Sequence, residues 1–98
     1  MAYKLITTPE TENDIVNAIE YYLDIRTELA KQFLIELKAV KKYIHKNPEK
    51  IQVRYKNMRI AFLNQFPYGI HFNFYNNTIT IIAVFATSDN PEKWENRY

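Results

Sequence analysis

The C-terminal half of the chain alternates between apolar and polar side chains, and this alternation restricts the fold more than any other feature. Over residues 68–75 (YGIHFNFY) every second residue is aromatic or aliphatic, which is the period of a β-strand with one buried face. The apolar face would carry Tyr68, Ile70, Phe72 and Phe74, and the other face Gly69, His71, Asn73 and Tyr75. Residues 79–85 (ITIIAVF) are apolar on both faces apart from Thr80, which is typical of an inner strand that is covered on both sides.

Two groups of turn-forming residues divide this half of the chain. Asn76-Asn77 can supply the pair of positive φ angles that a tight hairpin needs. The segment 66–69 (FPYG), which contains the only glycine of the chain, marks the other turn. The sequence therefore predicts an antiparallel meander whose last strand lies near the middle of the sheet.

Two amphipathic helices precede the meander. Apolar residues recur at three- and four-residue spacing, first at Ile15, Ala18, Ile19, Tyr22 and Ile25, and then at Ala30, Phe33, Leu34, Leu37, Val40 and Ile44. Thr8 or Thr11 is the expected N-cap of the first helix, with Pro9 in its first turn, and Thr27 is the expected cap of the second. Asn47-Pro48 ends the second helix, because a residue before proline avoids the α conformation. The short connection predicts a helical hairpin that covers one face of the sheet.

A short first strand at residues 3–7 and a hairpin of residues 51–55 and 58–65, turning at Lys56-Asn57, complete the predicted elements. Residues 1–98 thus form a single domain with the order β-α-α-β-β-β-β. The predicted fold class is α+β, with a helical hairpin packed on one face of a mainly antiparallel sheet.

Composition restricts the class of protein further. Hydrophobic residues make up 47% of the 98 residues, which excludes a disordered chain. The absence of cysteine excludes disulfides and thiolate metal sites. No apolar run reaches the roughly 18 residues of a membrane span, and the N-terminus has no signal-peptide pattern. We therefore expect a cytoplasmic protein without a membrane partner.

The charges are unevenly distributed along the chain. Residues 31–59 contain nine lysines and arginines against two glutamates, a net charge of +7, whereas residues 1–30 carry −4 and residues 60–98 carry −1. A basic middle segment favours a polyanionic partner or an acidic protein segment. The alternative interpretation is a solvated, lysine-rich helix face.

Few residues are candidates for chemistry, and no cofactor or metal is expected. His45, near the end of the second helix, is expected to be structural. His71 is expected to be solvated or to pair across strands, with a role in a site as the alternative. One glycine cannot form a phosphate loop, and Ser88 is the only serine, which excludes a serine triad. Tyr55 and Tyr75, near Arg54, Arg59 and His71, could stack on a nucleobase.

Several segments, taken in order, resemble those of a known family. They are residues 12–22 (ENDIVNAIEYY), residues 30–37 (AKQFLIEL) with Asn47-Pro48, Arg59, residues 66–68 (FPY), and Asn90-Pro91 with Trp94 and Arg97. Together they are similar to the RelE/ParE superfamily of toxins from type II toxin–antitoxin, or plasmid stabilisation, systems. The resemblance implies the same fold, growth inhibition, and a cognate antitoxin with a flexible acidic or amphipathic segment.

The resemblance leaves the mechanism open between two kinds of toxin. RelE-like toxins cleave mRNA on the ribosome without a metal, using the 2′-OH as nucleophile, and in that case Arg59 and His71 would be catalytic. ParE-like toxins bind DNA gyrase. For either target, the expected binding residues are Arg54, Lys56, Arg59, Tyr75 and Tyr98.

The sequence departs from the family pattern at two positions. Ala86 and Asp89 stand where many relatives have a histidine and an arginine. Because loss of a general acid or base and of a phosphate-binding cation slows RNA cleavage by orders of magnitude, the ParE-like function is the main prediction. The alternatives are a metal-independent, ribosome-dependent mRNA endonuclease, and an interaction module of the same fold that has lost toxicity.

Overall fold

A computed structural model of the chain describes residues 3–89 and 97 and confirms the predicted α+β fold. The elements are β1 (Lys4–Thr7), α1 (Pro9–Ile25), α2 (Thr27–Lys46), a 3₁₀ turn (Pro48–Lys50), β2 (Val53–Tyr55), β3 (Met58–Phe62), β4 (Tyr68–Tyr75) and β5 (Thr78–Ala86). The sheet has the order β1-β5-β4-β3-β2, in which β1 is parallel to β5 and all other neighbours are antiparallel. The last strand therefore lies inside the sheet, as predicted.

The helix boundaries follow from local capping. Thr8 is the N-cap of α1, since its hydroxyl accepts the backbone N–H of Thr11 at 3.2 Å and Pro9 occupies the first helical position. The expected cap of α2 is wrong: Thr27 is the first residue of the helix, and the extended residue Arg26 alone separates α1 from α2. A one-residue connection leaves the two helices no arrangement other than an antiparallel hairpin. Pro48 opens the 3₁₀ turn and so ends α2 where predicted.

The helical hairpin packs on one face of the sheet and forms the core there. The buried side chains of the helices are Ala18, Tyr22, Ala30, Phe33, Leu37 and Ile44. They meet the alternating residues of β4 and β5, of which Ile70, Phe72 and Ile79 are fully buried. Tyr22 and Phe33 also contact the ring of Phe66, with centroids 5.0 and 5.4 Å away, so the loop before β4 is fixed to the core.

Two of the three turns predicted from the sequence are confirmed by the structure, and the predicted role of glycine in the third is wrong. Asn76 and Asn77 have φ angles of 52° and 60° and join β4 to β5 in a two-residue turn. Lys56, with a φ of 48°, lies in the two-residue turn that joins β2 to β3. Gly69, however, lies within β4 opposite Phe62 and has no positive φ. A Cβ at this position would lie 2.8 Å from Cγ2 of Ile60, so close packing, and not a turn, requires this glycine.

No helix in the described part of the chain is both long and apolar enough to cross a membrane.

Candidate functional site

His71 lies on the face of the sheet turned away from the helices. In the register of the sheet it is opposite Ile60 on β3 and Ala83 on β5. Nδ1 of His71 is 2.7 Å from the hydroxyl of Tyr55, and its ring centroid is 5.2 Å from that of Phe85. The expectation of a solvated histidine is wrong, because only 2% of the residue is exposed. The cross-strand alternative describes its position better.

The protonation of His71 follows from its burial. Burial lowers the pKa of the imidazole from 6.5 to about 4, while the charge of Asp14 acts to raise the pKa and that of Arg97 to lower it. The ring is therefore neutral at pH 7. A neutral ring fits the contact with Tyr55, in which either the hydroxyl or Nδ1–H can be the donor. A base this weak and this well buried is poorly suited to deprotonate an RNA 2′-OH.

Arg59 lies on the other face of the sheet. It pairs with Phe72, whose side chain belongs to the core under the helices, whereas His71 pairs with the next residue, Ile60. Nη1 of Arg59 donates to the carbonyl oxygen of Ile51 at 2.6 Å, which holds the chain between the 3₁₀ turn and β2. The structure therefore does not bring together the two residues predicted to be catalytic in an RNase.

A hollow at the end of the sheet does combine two of the predicted binding residues. It has a volume of about 740 Å³, and its lining includes Asn57, Arg59, Asn73, Tyr75 and Thr80. Tyr75 is 76% exposed, so its ring is accessible for stacking. The hollow is thus lined by one cation, two aromatic residues (Phe74 and Tyr75) and several amide and hydroxyl groups.

The other predicted binding residues are placed elsewhere. The guanidinium of Arg54 lies 5.3 Å above the ring centroid of Phe62. Lys56 is an exposed residue of the β2–β3 turn. Tyr98 lies outside the described residues. Among residues 3–89 and 97, no three histidine, aspartate and glutamate side chains lie close enough together to hold a metal ion.

Sequence reasoning missed a polar network at the open edge of β5. β1 pairs with β5 only as far as Ile81, so the remaining edge needs other partners. Asp14 accepts the backbone N–H of Val84 at 3.1 Å and two hydrogen bonds from Arg97, which itself donates to the carbonyl oxygen of Ile82. Periodicity assigned Asp14 only a favourable place near a helix N-terminus, and no local signal relates it to Arg97.

The two positions that depart from the family pattern contact each other at the end of β5. The carboxylate of Asp89 accepts the backbone N–H of Ala86 at 3.2 Å. Where relatives are expected to present an imidazole and a guanidinium, this chain has a methyl group and a carboxylate. A carboxylate at this point disfavours a phosphate, since like charges repel.

Comparison with known proteins gives a likeness at the level of structure. No family model matches the sequence, and no curated protein matches it significantly. A chain of the solved structure titled "Chromosomal ParDE TA system from P. aeruginosa" superposes with a TM-score of 0.77 at 16% identity, covering 87% of this chain and 96% of that one. At this identity the likeness shows the fold. The two-helix layer on a five-stranded sheet is therefore a fold that this chain shares with that chain of the ParDE structure.

Proposed function

We propose that the protein is the toxin component of a type II toxin–antitoxin system. Its mode of action is ParE-like: it binds a cellular protein target such as DNA gyrase, and a cognate antitoxin neutralises it. The fold supports the general assignment, since the similar chain belongs to a ParDE system. The observation that carries the choice of mechanism is the separation of Arg59 and His71 on opposite faces of the sheet.

RNA cleavage through the 2′-OH needs a base and a phosphate-binding cation within one site. Here His71 is 2% exposed, and its Nδ1 is engaged by Tyr55. Nη1 of Arg59 donates to the backbone at Ile51. Each group therefore has a structural contact of its own, and His71 and Arg59 do not form one site. This supports a toxin that does not cleave RNA. A toxin that acts by binding a protein needs no such pair.

One observation favours the RelE-like alternative. Arg59 and Tyr75 line the same hollow, together with Asn57 and Asn73. A guanidinium and an accessible ring that line one hollow can together hold a phosphate and stack a base. A ribosome-dependent mRNA endonuclease is therefore the second candidate function.

Two assays on the purified protein distinguish the candidates. We expect inhibition of DNA supercoiling by gyrase, with mRNA left intact in a translation extract. Cleavage of mRNA that Arg59→Ala abolishes and Arg26→Ala preserves would overturn the proposal in favour of the endonuclease. Arg26 is a matched control because its side chain is 65% exposed at the junction of the two helices. No effect in either assay would overturn both and favour an interaction module without toxicity.

The antitoxin is tested separately. The small reading frame next to the gene is co-expressed with the chain, and the mixture is passed over a sizing column at low salt. We expect a stable complex that relieves growth inhibition. Two separately eluting proteins would contradict a cognate antitoxin at that locus, whatever the gyrase assay shows.

A further inference from the structure

A small pocket, here called the α1–β5 pocket, lies between α1 and the end of β5. It has a volume of about 210 Å³. Residues of one side of α1, of β4 and of the end of β5 line it, among them Asp14, Asn17, Tyr21, Tyr68, Ala86 and Asp89. None of the described residues that line it is basic. The pocket therefore offers negative charge, aromatic surface and hydrogen-bond acceptors.

The carboxylate of Asp89 is held in place by the turn that ends β5. The backbone N–H of Asp89 donates to the carbonyl oxygen of Ala86 at 3.0 Å, and the carboxylate accepts the N–H of Ala86 at 3.2 Å. The N–H of Thr87 donates to the carbonyl oxygen of Pro67 at 2.8 Å, which joins this turn to the loop before β4. A charged group fixed in this way loses little freedom when a ligand binds.

Ala86 leaves room in the pocket beside an aromatic ring. It is the partner of Tyr68 in the β4–β5 ladder, so both side chains lie on the helix face of the sheet. Edge contacts with Phe33 and Tyr22, at centroid distances of 5.2 and 6.1 Å, fix the ring of Tyr68. A longer side chain at position 86 would enter the pocket next to this ring.

Tyr21 provides a second aromatic wall at the rim of the pocket. Its ring contacts that of Tyr22 edge to face at 5.1 Å, and 58% of the residue is exposed. Ile25, one turn further along the same side of α1, is also 58% exposed. The rim therefore has aromatic and apolar surface that a segment of a partner protein can cover.

The charges around the pocket favour a cation. Burial raises the pKa of the Tyr68 phenol, and the charge of Asp89 acts in the same direction. The field that opposes a phenolate here attracts a positive group and repels a phosphate. Asp14 is already paired with Arg97, so Asp89 supplies the net negative charge.

We propose that the α1–β5 pocket binds the guanidinium group of an arginine side chain of a partner protein. The planar group stacks on a tyrosine ring and donates its N–H groups to Asp89. A volume of about 210 Å³ is below the roughly 300 Å³ of small ligand pockets, so it suits the end of a side chain and excludes a nucleotide. A lysine ammonium fits less well, because it is more strongly hydrated and has no flat face. The inference does not depend on the proposed toxin function.

Amide NMR spectra of the isotopically labelled protein, titrated with Nα-acetylarginine N-methylamide, test this. We expect binding in the millimolar range, as for other fragments of this size, with the largest shifts at Asn17, Ala86 and Asp89. The citrulline derivative, which has a similar shape without the charge, and inorganic phosphate are expected to cause no such shifts. The lysine derivative is expected to bind more weakly than the arginine derivative.

Two variants separate the charge of the pocket from its shape. Asp89→Asn keeps an oxygen that can accept the N–H of Ala86 but removes the charge, and it is expected to weaken binding by about tenfold or more. Ala86→Leu leaves the charge and fills the pocket, and it is expected to abolish binding. Asp24→Asn and Ala39→Leu, at an exposed acid and an exposed alanine outside the pocket, are the matched controls and should bind as the wild type does.

Tripeptides with an apolar residue on either side of arginine distinguish a partner protein from a free metabolite. They are expected to bind more tightly than the capped amino acid, because they also cover Tyr21 and Ile25. Free arginine that binds more tightly than every peptide would overturn the assignment to a protein. The proposal as a whole is overturned if the arginine derivative causes no shifts at the pocket, if the citrulline or lysine derivative binds equally well, or if Asp89→Asn and Ala86→Leu leave binding unchanged.

Discussion

Asp14 on α1 and Arg97 near the C-terminus are joined by two hydrogen bonds of 2.9 and 3.1 Å between the carboxylate and the guanidinium. The side chains are 12% and 20% exposed, so solvent screens the pair weakly. Through Val84 and Ile82 the same two groups satisfy backbone atoms of β5 that β1 does not reach. The pair therefore completes the sheet edge in addition to linking distant parts of the chain.

Asp14→Asn is expected to lower the free energy of unfolding by about 2–3 kcal/mol, because it leaves a mostly buried guanidinium without its counter-charge. Chemical denaturation of the two proteins measures the difference. Asp24→Asn, at an exposed acid of the same helix, is the control and should change stability by less than about 0.5 kcal/mol. Equal changes in the free energy of unfolding for the two substitutions would show that the bidentate pair stabilises the fold no more than an exposed carboxylate does.

His71 predicts a specific dependence of stability on pH. The pKa is about 4 in the folded protein and 6.5 in the unfolded chain, so between these values the unfolded state binds the additional proton. The contribution of the neutral ring is fully present above pH 6.5 and is lost as the pH falls toward 4. The pKa difference corresponds to about 3 kcal/mol.

Denaturation curves of the wild type and of His71→Gln between pH 4 and 7.5 check this expectation. The variant should have a flatter profile in that window, because it lacks the imidazole whose pKa burial lowers. Parallel profiles for the wild type and His71→Gln would mean that His71 is as easily protonated in the folded protein as in the unfolded chain.

Gly69 predicts a clash with a single identifiable atom. In Gly69→Ala the new methyl group would lie 2.8 Å from Cγ2 of Ile60, which is attached at the β-branch and cannot swing away. We expect a loss of about 1–3 kcal/mol, the usual range for overpacking. Ile60→Leu removes that γ-methyl group, so Gly69→Ala should be less destabilising in the Ile60→Leu background. Strict additivity of the two substitutions in denaturation would contradict the assigned clash.

The order and type of the elements could be predicted from the sequence because each has a local cause. Residues 68–75 form β4 as expected, although both faces of the strand are buried at residues 69–72, and Asn47-Pro48 ends α2. Gly69 shows the limit of such signals. Its neighbours Pro67 and Tyr68 indicated a turn, whereas the need for glycine comes from Ile60 on the adjacent strand.

The candidate site was harder to predict because it depends on register and on long-range contacts. Whether Arg59 and His71 share a face is decided by the loop that sets Phe62 opposite Gly69, and a shift of one residue would reverse the answer. Alternation also assigned His71 to a face without showing that this face is buried there. The link between Asp14 and Arg97 spans 83 residues, beyond any periodicity.

Asn77 predicts substitutions of opposite sign at one position. Its φ of 60° follows a φ of 52° at Asn76, the two positive angles of a type I′ hairpin turn. Asn77→Gly should raise the free energy of unfolding by a few tenths of a kcal/mol up to about 1, because glycine adopts this conformation without steric cost. Asn77→Ala should lower it by about 1 kcal/mol, since a Cβ is disfavoured at positive φ and the asparagine side chain can no longer bond locally.

Thermal unfolding of the three proteins measures the order, and Asn57→Ala in the β2–β3 turn, where Asn57 has no positive φ, is the control and should have a smaller effect. A lower melting temperature for Asn77→Gly than for Asn77→Ala would contradict the assignment of this turn, and with it the register that places His71 on the face opposite the helices.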